Sequence, residues 1–280
     1  MGEKYMYNKT KVCSVTVLYN FNEENINNLK TYEEYVDKVI VVDNSISSEY
    51  YKKYFSQLSN YYYISMDGNK GIAEALNVGI EYAINNEYDW VLTMDQDSKF
   101  TNNLIDEYFK NIRNDVFIYS PNYLIDRRKE KKYKKDNQII YWTMTSGNLL
   151  NISLYKKIGK FKENFFIDGV DYEYCLRGKK MEYKILQCNN ALLRHNPGIT
   201  KEKKFLWWQY KYGYMSPLRM YYQIRNLSWI AHEYNCNKAR LIIFAKLLKI
   251  ILLFDDKKEF FCKFKQGKKD FKNNNFGKGE

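Results

Sequence analysis

Two aspartates one residue apart, Asp95 and Asp97, directly follow the apolar run at residues 90–94. A buried strand that ends in two carboxylates would place hard oxygen ligands where the sheet meets solvent. Mg²⁺ and Mn²⁺ are bound in this way, by few protein carboxylates together with substrate phosphates. The same residues also suit a turn in which Asp97 or Ser98 caps a following helix. The spacing alone leaves both interpretations open.

Two further polar clusters follow apolar runs. Asp43 and Asn44 could read the edge of a pyrimidine base, with the carboxylate accepting from the ring N–H, or could form an ordinary turn. Asn69, Lys70 and Gly71 precede a predicted helix, whose free N-terminal N–H groups would favour a phosphate or a ribose. Asn-Lys-Gly is also a frequent turn sequence, so this cluster by itself is weak evidence for a ligand.

Three acids lie close together at Asp168, Asp171 and Glu173. In a partly buried cleft, like charges raise the pKa of at least one carboxyl group, which suits a general base. The alternative is that Asp168 or Asp171 caps the helix that runs to Lys179. Asp171 is therefore a candidate general base, and a helix-capping role is the competing interpretation.

The elements that must position these residues are short β-branched runs alternating with helical stretches. This order predicts a Rossmann-like, mostly parallel sheet with flanking helices. Ligands bind at the carboxyl ends of such strands, so the first three clusters should converge on one site. Strands are predicted at 12–19, 36–43, 61–66, 90–94 and 116–120. Helices are predicted at 25–35, 47–58, 72–85 and 102–112.

The charge of the chain is concentrated toward its end. Of a net charge of +12 over 280 residues, half arises after residue 238, where eleven Lys or Arg face five Asp or Glu. The apolar run at 241–254 is interrupted by Lys246 and Lys249 and falls short of the ~20 residues of a spanning helix. We interpret residues 238–280 as a basic helical extension that either lies on an anionic membrane or packs on the preceding domain.

Other features fit a cytoplasmic protein at the inner face of the cell membrane. The five cysteines form no C-x-x-C pair, two histidines are too few for a zinc cluster, and residues 1–11 lack the apolar core of a signal peptide. The charged stretch at 127–135 is predicted to be a surface loop. Residues 273–280 are predicted to be a frayed end.

Seven segments together resemble the inverting GT-A glycosyltransferases of family 2, and the Asp-Gln-Asp-Ser version resembles the bacterial rhamnosyltransferases of that family. The resemblance covers nearly the whole chain. It predicts a GT-A domain at 1–237, with a nucleotide-sugar half at 1–120 and an acceptor half at 121–237, followed by the helical extension. The segments are 41–45, 69–77, 92–98, 145–148, 161–177, 194–198 and 219–226.

On the donor side, the resemblance implies that Asp43 binds the pyrimidine base. Asp95 and Asp97 would hold Mn²⁺ or Mg²⁺ and the donor, and His195 matches a histidine that reaches the metal or the diphosphate, although a lone histidine after a strand is commonly packed. Arg219 and Arg225 either flank the phosphates or belong to a tyrosine-rich packing helix. The remaining implied donor-binding residues are Asn44, Asn69, Lys70, Gly71, Asn77 and Gln96.

On the acceptor side, the resemblance implies a glycine loop at Gly147 beside Asp168, with Asp171 as the catalytic base. The family's acidic residue before the base is Val170 here. Inverting transfer needs one carboxylate to take the acceptor proton, while metal and cations stabilise the departing diphosphate. One base and one acidic pair therefore suffice.

The expected function is transfer of a sugar, L-rhamnose from dTDP-rhamnose or the sugar of a UDP donor, to a lipid-linked or polysaccharide acceptor of a capsule or cell wall. A homodimer is a further candidate assembly. A nucleotidyltransferase would typically have a glycine-rich, basic loop after the first strand. Residues 20–23 are neither glycine-rich nor basic. A nucleic-acid binder would need a basic, aromatic face, whereas the excess charge lies in the last residues, so no nucleic acid is expected as a partner.

Overall fold

The computed structural model describes residues 10–46, 49–125, 136–196, 198–205 and 208–279. Its strands are β1 Val12–Leu18, β2 Lys38–Asp43, β3 Tyr61–Ser65, β4 Trp90–Asp95, β5 Ser98–Phe100, β6 Val116–Leu124, β7 Gln138–Ile140, β8 Asn148–Asn151, β9 Lys184–His195, β10 Ile199–Phe205 and β11 Trp208–Tyr214. Its helices are α1 Glu23–Lys30, α2 Glu49–Ser56, α3 Ile72–Asn85, α4 Leu104–Phe109, α5 Ile152–Ile158, α6 Val170–Lys180, α7 Pro217–Glu233, α8 Asn237–Leu252 and α9 Lys257–Lys272.

The central sheet has the order β3-β2-β1-β4-β8-β6-β9-β5, with β7 paired to β9. Strands β1 to β4 are parallel to one another where they pair, and all seven residues of β1 are buried, as expected for a sheet covered on both faces. Beyond β4 the sheet becomes mixed, because β8 runs antiparallel to β4. The predicted α/β fold with a Rossmann-like first half and flanking helices is confirmed.

The predicted elements of the first half occur, and three of the four helices are shorter than predicted, whereas α3 has its predicted bounds. The helix expected at 25–35 ends at Lys30 and is followed by a 3-10 turn at Glu33–Tyr35. The cause is tertiary, since the Tyr32 side chain turns into the core and pairs its hydroxyl with Thr16 Oγ1 at 2.8 Å. The predicted loop at 127–135 lies outside the described residues.

Helices α7, α8 and α9 pack together, and α8 and α9 share one hydrophobic core with the sheet. Ile250, Phe254 and Phe260 are fully buried in that core. Helix α9 approaches α7 so closely that a Cβ on Gly267 would lie 2.7 Å from the Tyr221 carbonyl oxygen. Of the two interpretations of 238–280, this packing favours the one in which the extension packs on the preceding domain, because its apolar residues complete the core.

The segment after α9 also differs from expectation. Gly277 N donates to the Asn164 carbonyl at 2.8 Å, and Phe276 packs against the core. The prediction of a frayed end at 273–280 is thus wrong for residues 276–279. Among the described residues, no helix is long and apolar enough to cross a membrane.

Candidate active site

A cavity of about 480 Å³ opens at the carboxyl ends of β1, β2 and β4. It is lined by the end of β4 and the residues after it, by the loops after β2 and β3, by the start of α6, and by α7 and α8. Of the residues expected to bind substrate or metal, ten line it together. They are Asn44, Asn69, Gly71, Asp95, Gln96, Asp97, Asp168, Asp171, His195 and Arg219.

Asp95, Asp97 and His195 form a cluster whose ligand atoms all lie within 4.8 Å of one another. The sheet brings them together, because β5 pairs antiparallel with β9 and sets His195 opposite Ser98. His195 is buried, and its Nδ1 lies 3.8 Å from Asp97 Oδ1. No helix starts after Asp97, where β5 begins instead, so the interpretation of Asp97 or Ser98 as a helix cap does not hold.

The cluster fits a hard divalent cation. Asp97 Oδ1 is buried and has no hydrogen-bond partner within the part of the chain that the structure describes. Burial raises the pKa of Asp95 to about 6, where His195 opposes the rise and Asp97 adds to it. Burial likewise raises the pKa of Asp97. Two half-buried carboxylates and a buried imidazole are a donor set whose carboxylates Mn²⁺ or Mg²⁺ would stabilise in the charged form.

Asp171 is the second residue of α6 and faces the same cavity. Burial, with Asp168 and Asp95 nearby, raises the pKa of its carboxyl group to about 7. Its Oδ1 accepts from the Tyr172 N–H at 2.9 Å. The N-cap of α6 is Gly169, and no side chain caps the helix, which argues against the capping interpretation of Asp168 and Asp171.

The other two acids of this group are engaged by cations. Glu173 is buried and accepts from Arg177 Nη2 at 2.6 Å. Asp168 accepts from Arg219 at 3.0 and 2.7 Å and from Gln223 Nε2 at 3.0 Å. Arg219, expected on the donor phosphates, thus lines the cavity while paired with Asp168, and Asp168 raises its pKa further.

The loops after β2 and β3 are tied to each other. Asn44 donates from Nδ2 to Asn69 Oδ1 at 3.3 Å and accepts at Oδ1 from the Lys70 N–H at 2.8 Å. Gly71 has φ +92°, and a Cβ there would lie 2.6 Å from the Phe166 carbonyl oxygen. Glycine is therefore needed for the approach between the start of α3 and the loop before α6.

Asp43 and Lys70, two residues expected on the donor side, lie beside these loops but do not line the cavity of the described structure. Asp43 is 1% exposed, and its carboxylate accepts from Ser45 N at 2.9 Å and from the Tyr63 hydroxyl at 2.6 Å. Lys70 contributes its backbone N–H to Asn44, and its side chain is exposed. The structure supports Asp43 as a brace for the loop that carries Asn44.

Three further residues expected at the site do not line the cavity among the described residues. Asn77 is buried and donates to the Phe161 carbonyl at 2.9 Å and to Glu163 at 2.8 Å, so it holds the loop before α6. The Gly147 N–H donates to the Thr93 carbonyl oxygen of β4 at 2.7 Å. Arg225 is 1% exposed and bonds protein atoms instead of a phosphate.

Gln223 and Lys246 are among the cavity-lining residues that sequence reasoning missed. Gln223 lies on α7 one turn after Arg219, and this i, i+4 spacing was a signal that could have found it. Lys246 reaches the cavity from α8, where its Nζ donates to Gln223 Oε1. In the sequence it reads only as an interruption of an apolar run. Burial lowers the pKa of Lys246, and the Asp168 carboxylate opposes this shift.

The sequence is similar to those of two known transferases. The chain is 28% identical over 236 residues to the dTDP-rhamnosyl transferase RfbF of Shigella flexneri, a match covering 78% of each protein. It is 24% identical over 213 residues to the low-salt glycan biosynthesis hexosyltransferase Agl10 of Haloferax volcanii, covering 68% of this chain and 69% of that protein.

Solved structures share the fold. GalNAc-T7 with UDP, GalNAc and Mn²⁺ superposes with a TM-score of 0.62 at 11% identity, over 95% of this chain and 57% of that one. TarS 1-349 of S. aureus in complex with UDP-GlcNAc gives a TM-score of 0.59 at 14% identity, over 94% and 80% of the two chains. At such identities the likeness shows the fold alone, and it confirms the predicted GT-A fold.

The model of the family described as "Glycosyl transferase family 2" matches residues 17–177. The match runs from β1 into α6, so it contains the acidic pair at the end of β4 and Asp171. Because it covers more than half of the chain, the protein is a member of glycosyl transferase family 2.

Proposed function

We propose that this glycosyltransferase moves L-rhamnose from dTDP-rhamnose to an acceptor hydroxyl with inversion at the anomeric carbon. The main observation behind this proposal is that Asp171, whose pKa is raised to about 7, faces the same cavity as the Asp95, Asp97 and His195 cluster. A base and a cation site on one cavity are what direct displacement of a diphosphate requires. The rhamnosyl donor is supported by the similarity to RfbF.

In the proposed reaction Asp171 takes the proton of the acceptor hydroxyl. The acceptor oxygen forms the new bond to the anomeric carbon as the bond to the diphosphate oxygen breaks, and the leaving group departs as dTDP. Asp168 and Glu173 are unsuited to this step because Arg219 and Arg177 hold their carboxylates. With a pKa near neutrality, a large fraction of Asp171 is ionised and can accept a proton at neutral pH. The carboxylate is also basic enough to favour the proton transfer.

Asp95, Asp97 and His195 would hold Mn²⁺ or Mg²⁺, which when bound neutralises charge on the diphosphate. Arg219 adds a cation to the same cavity, close enough to Asp95 and Asp97 that both raise its pKa in addition to Asp168. Asn44, Asn69, Gly71 and Gln96 form the wall assigned to the nucleoside, with Asp43 and Lys70 supporting it from behind.

The acceptor is proposed to be presented at the inner face of the cell membrane. Helix α8 carries an exposed apolar stripe, and basic residues follow on α9. Basic residues near anionic lipid contribute about 1 kcal/mol each, in addition to apolar burial. The stripe consists of Leu241, Phe244, Leu248, Ile251 and Leu252.

Hydrolysis of a panel of dTDP- and UDP-sugars, each with Mn²⁺, Mg²⁺ or a chelator, tests the proposal. We expect dTDP-rhamnose with a divalent ion to be the best donor, and dTDP to raise the melting temperature more than UDP. Faster hydrolysis of a UDP-sugar would overturn the rhamnosyl assignment. Equal hydrolysis in chelator would overturn the cation site.

A further inference from the structure

The loop before α6 has an unusual backbone conformation. Phe166 and Asp168 have φ values of 64° and 63°, and Gly169 has φ 83°. For residues other than glycine this left-handed region is strained by about 1–3 kcal/mol, so surrounding contacts must hold it. Asp171 follows two residues after Gly169, and its position therefore depends on whatever holds this loop.

One buried amide contacts most of the loop. Asn226 Nδ2 donates to the carbonyl oxygens of Phe165, Ile167 and Asp168 at 3.0, 2.9 and 2.7 Å. The residue is fully buried in α7. Two amide hydrogens are thus shared among three carbonyls, and the left-handed turn brings those carbonyls to a single side chain.

Arg225 fixes the orientation of that amide. Its Nε donates to Asn226 Oδ1 at 3.0 Å, which directs the Nδ2 hydrogens at the loop. Its Nη2 donates to the Phe165 carbonyl at 3.1 Å. Its Nη1 donates to the Gly277 carbonyl at 2.8 Å. The buried guanidinium therefore joins the amide, the loop and the segment after α9.

The segment 276–279 closes on the same loop from the other side. Gly277 N donates to the Asn164 carbonyl at 2.8 Å. The Phe276 ring is stacked on Phe165 at 6.0 Å between centroids, and the Arg225 guanidinium lies 5.2 Å from the Phe276 centroid. The segment thus supports the loop through both backbone and ring contacts.

We propose that Asn226, Arg225 and the segment 276–279 are positioning elements that set Asp171 for proton transfer. The inference rests on the proposed function only in giving Asp171 the role of base. It assigns Arg225 and Asn226 to support of the base, and it gives the segment after α9 a part in activity although it does not line the cavity within the described structure.

Asn226→Asp tests the proposal, since it keeps the shape but replaces the amide donors by a carboxylate facing three carbonyls. Asn189→Asp is the matched control, because Asn189 is also buried but lies on β9. Misplacing a reacting group by about 1 Å costs about 100-fold in rate. We expect kcat for transfer to fall on this scale in Asn226→Asp with donor KM unchanged, and the pH–rate midpoint to move.

Hydrogen exchange of the amides in 165–172 gives a second measurement that does not depend on activity. We expect these amides to lose protection in Asn226→Asp and in Phe276→Ala, but not in Asn189→Asp. If Asn226→Asp does not fold, Phe276→Ala decides by the same measurements. A folded variant with control-like protection and kcat would overturn the proposal. A wild-type protein that turns over no nucleotide sugar would instead overturn the proposed function, and exchange would still test the support of the loop.

Discussion

Asp171→Asn is expected to abolish transfer and, at the same time, to stabilise the fold at neutral pH. Burial raises the pKa of Asp171 from its ordinary value of 3.8 to about 7. One pH unit of difference in pKa corresponds to about 1.4 kcal/mol, so ionised Asp171 destabilises the wild-type fold by at most about 4 kcal/mol. Asparagine keeps the shape and carries no charge, and therefore avoids this cost.

The sign of the pH dependence follows from the two pKa values. Below pH 3.8 the carboxyl group is protonated in the folded and the unfolded chain. Between 3.8 and about 7 the unfolded chain releases the proton while the folded chain keeps it, so the contribution of Asp171 to stability is lost as the pH rises. The stability gained by Asp171→Asn should therefore grow through this window and level off above it.

Thermal and denaturant unfolding of wild type and Asp171→Asn at pH 5, 6, 7 and 8, without divalent ions, measures this difference, with the wild-type curve as the reference. The wild-type pH–rate profile should rise with a midpoint near 7. A general base supplies about 10²–10⁴-fold, so variant turnover above roughly a tenth of wild type would refute the role of Asp171. A variant less stable than wild type at pH 8 would refute the argument from burial.

The other predictions concern the cation cluster, α8 and the last helices. Asp97→Ala should weaken binding of donor and of Mn²⁺ together, and calorimetry that shows normal donor binding with and without metal would contradict this. Lys246→Met should lower transfer activity while preserving the melting temperature, because a buried cation is replaced by an apolar side chain of similar length; unchanged kcat and KM would remove Lys246 from the site. A chain stopped after residue 237 should aggregate, because fully buried branched or aromatic side chains stabilise a fold by about 1.5–3 kcal/mol each and α8 and α9 supply several; a soluble, cooperatively folding fragment would contradict the shared core. Phe244→Ser with Leu248→Ser should reduce sedimentation with anionic liposomes at low salt without unfolding the protein, and unchanged sedimentation would reject the stripe as the membrane contact.

The sequence by itself determined the parallel half of the sheet and the location of the site. Residues of β1, β2 and β4 are apolar and β-branched, and a polar cluster follows β2, β3 and β4. Local periodicity is enough for such a prediction, because parallel strands end at one edge of the sheet. The acidic pair was found for the same reason, since it lies at the end of a predicted strand, whereas Asp171 was singled out by its crowding with Asp168 and Glu173 and by the family resemblance.

Contacts distant in sequence were decided only by the tertiary structure. Pairing of β5 with β9 brings His195 to Asp97, and packing of α8 on α7 brings Lys246 to Gln223. Arg219 and Arg225 are alike in sequence, yet the first faces the cavity and the second is buried against the segment 276–279. Six residues along a helix rotate a side chain to another face, and only the neighbours of each face decide whether a guanidinium meets a ligand or a backbone carbonyl.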